Sequence, residues 1–163
     1  MSAAKPFGDT SIASILVIGH DPRLRSSQAE AETAFFLDHL HNFDFPPTYG
    51  PVKSKYGLAR ALVDYVNHLA GYEITLGDLY VTNLCNKFLP STNGKGTVLI
   101  PDAEAEDGYS DICQAIGKGH FKVIIPTSCQ VFYHLCRLGF LDDPDARIAS
   151  FMENAKPKSI QRE

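Results

Sequence analysis

The stretch Ile15-Leu16-Val17-Ile18-Gly19-His20-Asp21-Pro22-Arg23-Leu24-Arg25 decides how this chain is read. Four apolar residues, three of them β-branched, run into a glycine and then a carboxylate fixed against a proline. A buried parallel strand has this look, and in open α/β sheets the functional groups gather beyond the C-terminal strand ends. Pro22 excludes the helical region for Asp21, so an extended backbone aims its carboxylate. Taken alone, the same residues also describe an Asp-Pro turn after a strand.

Two further apolar runs have the same character. Leu79 to Leu84 (LYVTNL) follows a Gly77-Asp78 turn, and Phe121 to Ile125 (FKVII) ends at Pro126. Helical spacing lies between and after them. A helix is predicted over 27–41, capped by Ser26 or Ser27, and another over 55–70, with Leu58, Leu62, Val66 and Leu69 on one side and Gly71 as its C-cap. A third is predicted over 109–116. A fourth runs over 129–138, capped by Thr127 or Ser128 and stopped at Gly139, and a short fifth falls within 142–153. Residues 42–51 and 90–108 read as loops from their Pro, Gly, Asn and Asp content, with a short strand over 97–100. Asn93-Gly94-Lys95-Gly96 lacks the spacing of a phosphate-binding loop and reads as a turn. The order of elements predicts an α/β domain, a three-layer α/β/α sandwich on a short parallel sheet.

With 163 residues, 44% of them hydrophobic, the chain suits a single domain over 1–163. No signal-peptide pattern or membrane-length apolar run is present, and Cys85, Cys113, Cys129 and Cys136 form no CxxC pair. These features predict a soluble protein of a reducing cytoplasm with no membrane partner. A net charge of −4 weighs against general nucleic-acid binding. However, Arg23, Arg25, Lys53, Lys55, Lys87 and Lys95 fall in segments that can gather at the strand ends, whereas acidic residues cluster in 102–107 and 142–145. Cys129, at a predicted helix N-terminus, is a candidate thiol nucleophile, although no His or Asp partner is evident.

The three strand motifs in this order, ILVIGHDPRLR, Asn83 in LYVTNLCNKF, and FKVIIPTS, resemble the uracil-DNA glycosylase superfamily over roughly residues 14–138. The resemblance implies that family's fold and base excision from DNA by hydrolysis of an N-glycosidic bond. It makes Asp21 the catalytic carboxylate that positions water and faces the cationic sugar. It gives Asn83 to the Watson–Crick edge of uracil, Phe35 or Phe36 to stacking on the flipped base, and His20 to holding that base. Arg23, Arg25 and Lys87 become DNA-backbone contacts. DNA is the implied partner, single-stranded or uracil-containing, and neither metal nor cofactor is expected: iron–sulfur branches use four cysteines, two near the N-terminus, where this chain has none.

Two departures bear on activity. Arg23 stands where the best-known branch has the tyrosine that excludes thymine. The family's histidine, in a His-Pro-Ser-like segment after a fourth strand, has no counterpart up to Glu163. The sequence is then either an incomplete version of a longer protein, lacking the last strand, or one whose activity has changed. The alternative function is a non-catalytic descendant that binds a nucleobase or nucleotide. The oligomeric state is not readable from the sequence.

Overall fold

A computed structural model describes residues 5–20, 63–64, 66–69, 73–87, 89 and 98–141. Three parallel strands form its centre: β1 (Ile15–Gly19), β2 (Leu79–Asn83) and β3 (Val123–Pro126), in the spatial order β2-β1-β3. Every residue of β1 is buried, as a central strand covered on both faces requires. Register pairs Ile15 with Leu79 and Val123, and Gly19 with Asn83, so all three strands end at one edge. Phe7 adds an antiparallel bridge to Val81 on the outer side of β2.

Two helices follow β2 and β3: α1 (Asp102–Lys118) and α2 (Cys129–Arg137). Leu16 and Ile18 of β1 share a buried cluster with Ala105 and Ile112 of α1 and Val131 and Leu135 of α2. Residues 63–64 and 66–69 are helical, within the helix expected over 55–70; Val66 of the expected apolar side is buried, but Leu69 is 51% exposed and Val63, which that spacing leaves out, is buried. The coarse α/β architecture is as the sequence indicates. The expected helices over 27–41 and 142–153, the loop over 42–51, Gly71 and the turn over 93–96 lie outside the described residues.

The boundaries differ instructively. The loop expected up to Gly108 ends at Pro101, and α1 begins two turns earlier than its apolar spacing suggests. Asp102 and Glu104 occupy its first turn, where carboxylates complement the exposed amides of a helix start. Gly108, a loop signal in the sequence, sits inside the helix: a Cβ there would lie 1.8 Å from the Leu84 carbonyl oxygen, so only glycine permits the approach.

Residues 98–100 do not form a strand. Their polar backbone is met by one side chain, since the Gln130 amide accepts from Ile100 N–H (3.0 Å) and donates to the Val98 carbonyl (2.9 Å). Ser128 caps α2 through Val131 N–H (3.3 Å), as expected. The helix closes at Gly139 (φ 77°) in a Schellman motif, with Phe140 N–H on Leu135 O and Gly139 N–H on Cys136 O.

Candidate functional site

The common C-terminal edge of the strands is held together by main chain. Leu84 N–H donates to Gly19 O (2.8 Å) and Cys85 N–H to His20 O (3.0 Å), so the chains leaving β1 and β2 stay paired beyond the sheet. On the other side, Thr127 donates to Ile18 O from both its N–H (3.0 Å) and its hydroxyl (3.1 Å). The ends of β1 and β2 therefore lie at one edge although the sequence separates them widely.

Asn83 is 3% exposed. Its register partner is Gly19, and its side chain lies on the sheet face opposite α1 and α2. An amide here offers a donor and an acceptor at a desolvated position. His20 is half-buried, and its carbonyl already accepts from Cys85. Asp21, Arg23, Arg25, Phe35 and Phe36 lie outside the described residues.

Lys87 is exposed, and its ammonium contacts both carboxylate oxygens of Glu104 at 2.9 Å. This hydrogen bond and charge, with Asp107 adding to it, raise the lysine pKa. The acidic run 102–107 thus does not stand apart from Lys87, because α1 begins beside it. A phosphate at Lys87 would compete with Glu104.

Three residues near this edge gave no signal in the sequence. His134 on α2 is 2% exposed, and its Nδ1 makes no hydrogen bond among the described residues. The nearest carboxylate oxygen, on Asp102, is 3.9 Å away. Burial is the main cause lowering the His134 pKa, with Arg137 and His20 acting in the same direction and Asp102 and the Ile100 backbone opposing. Gln130 and Glu104 are the other two, and both act across folds of the chain that no local pattern reveals.

None of the four cysteines is in a disulfide. Cys129 is exposed at the first position of α2, and among the described residues no histidine or carboxylate pairs with it. Among the described residues there is also no group of three His, Cys, Asp or Glu placed to hold a metal ion, and no helix is long and apolar enough to cross a membrane. No protein-family model matches the chain, and no curated protein is significantly similar to it.

Proposed function

We propose that this protein is a DNA glycosylase that hydrolyses the N-glycosidic bond of uracil or a related damaged base. The observation that carries the reading is the pairing of strand ends: buried Asn83 lies in register with Gly19, two residues before Asp21. The C-terminal ends of two motifs distant in sequence thereby share one sheet edge. In this reading Asn83 recognises the edge of the extruded base. Asp21, ionised, orients the attacking water and stabilises positive charge developing on the sugar. His20 and one of Phe35 and Phe36 complete the base pocket, and Arg23, Arg25 and Lys87 line the DNA path.

The test is strand scission by alkali of a labelled single-stranded oligonucleotide carrying one uracil. Wild type is expected to give a cleaved product, and both Asp21→Ala and Asn83→Ala to lower the rate by about a hundredfold or more. Absence of cleavage by folded wild type would reject catalysis.

One observation favours a second reading, a non-catalytic binder of a nucleobase or nucleotide. The Lys87 charge is already answered by Glu104, and the chain carries a net charge of −4, a poor endowment for tracking a phosphate backbone. This reading requires uracil binding that Asn83→Ala weakens, with no turnover.

A further inference from the structure

Two polar groups face each other unjoined where α2 meets the start of α1. His134 lies in the second turn of α2, buried, with an Nδ1 that makes no hydrogen bond among the described residues. The Asp102 carboxylate, at the first position of α1, stands 3.9 Å from it. That is too long for a hydrogen bond, yet close enough for a nitrogen lone pair and a carboxylate to repel. A buried ring nitrogen left without a partner is costly, so the arrangement calls for a reason.

The neighbouring charges leave Asp102 able to turn. Arg137 approaches the same carboxylate with Nε at 3.7 Å, but it also holds Glu106 at 3.1 Å and the Asp102 carbonyl at 3.4 Å. The Asp102 carboxylate can therefore leave Arg137 without stripping it of partners. Its side chain is 69% exposed against 3% for that of His134, so the carboxylate is the group with room to move. Of the other groups around the imidazole, His20 at the end of β1 opposes a proton and the Ile100 backbone favours one, while the Tyr133 ring lies edge-on at 5.3 Å. Burial outweighs them and keeps the imidazole neutral until the pH falls below the ordinary histidine value of about 6.5.

Gln130 lies one turn earlier on α2 and already holds the backbone of Val98 and Ile100. The stretch 98–102 thus meets α2 at two successive points, one made by an amide and one that lacks only a proton.

We propose that His134 and Asp102 form a proton-operated latch between α2 and the start of α1. A proton from solvent enters at Nδ1, the imidazole becomes a cation, and Nδ1–H donates to the Asp102 carboxylate as it turns inward. Arg137 keeps Glu106. Charging a buried ring still costs stability, and the latch reduces that cost without removing it. Glu104 sits on the same first turn of α1 and holds Lys87, so the latch acts on the turn that anchors this cation. The device does not depend on glycosylase activity.

Long-range nitrogen–proton spectra of the isotope-labelled full chain, followed across the histidine titration range, test it. Neutral His134 is expected to carry its proton on Nε2 and to gain the second at Nδ1, with the Asp102 and Ala103 amides shifting at the same midpoint. Asp102→Asn, at an exposed side chain, is expected to lower that midpoint, whereas Asp111→Asn, farther along α1, leaves it unchanged. In His134→Gln the shared amide step is expected to vanish. A proton already on Nδ1 in the neutral form overturns the proposal, as does a His134 that stays neutral until the chain unfolds. A midpoint that Asp102→Asn leaves in place, or that Asp111→Asn lowers equally, also overturns it, and so do amide steps that persist in His134→Gln.

Discussion

His134 shows what a single buried side chain does to the pH response of this protein. Its imidazole faces Asp102 and Arg137 and feels the charge of His20, but burial dominates and disfavours the protonated form. A histidine whose pKa is lower in the folded than in the unfolded state stabilises the fold fully above the unfolded value. That stability is lost as pH falls below about 6.5 toward the folded value. Denaturant unfolding at pH 7.5 and 5.5 is expected to show wild type losing more stability on acidification than His134→Gln. Equal losses would count against the burial argument. Asn83 becomes a candidate by a different route: an Asn ending a strand means little by itself, and it stands out only through the order of the three motifs. No sequence pattern could give His134 the same prominence, because its importance comes from what α2 packs against.

At the scale of elements, β1 and β2 were legible because β-branched apolar runs bounded by glycine and turn residues leave few alternatives. The start of α1 was not. Asp102, Asp107 and Gly108 have loop-like composition, whereas the helix there draws on the helix-favouring Ala103, Glu104, Ala105 and Glu106 together with burial of Ala105, Gly108 and Ile112. Gly108 marks the difference. In a free helix, Gly→Ala would add stability of about 1 kcal/mol. Here the added methyl meets the Leu84 carbonyl, and Gly108→Ala is expected to destabilise by about 1–3 kcal/mol in denaturant unfolding. Since Leu84 follows Asn83, that variant is also expected to disturb the Asn83 amide resonance more than the distant Gly139→Ala does. The segment 98–100 taught the converse lesson. Its composition reads as a short strand, but residues 98–100 do not form one, and a glutamine side chain meets their backbone instead.

Across the whole molecule, charge decides how a polyanion would be received. Lys87 and Glu104 neutralise one another at the rim nearest the strand ends. Glu104→Gln should therefore release a cation, tighten single-stranded oligonucleotide binding at low salt, and steepen the logarithmic salt slope by about 0.7 if Lys87 takes up one phosphate. Fluorescence anisotropy at several salt concentrations measures this, and an unchanged slope would remove Lys87 from the DNA path. The Gln130 amide has a kinetic consequence of its own. Two backbone hydrogen bonds, at Val98 and Ile100, depend on one rotamer, whereas Leu84 N–H is held by the chain leaving β1. A turn of that one side chain frees Ile100 N–H without parting the sheet. Its amide proton should then exchange with solvent through a local opening, far sooner than that of Leu84, which waits for the strand ends to separate.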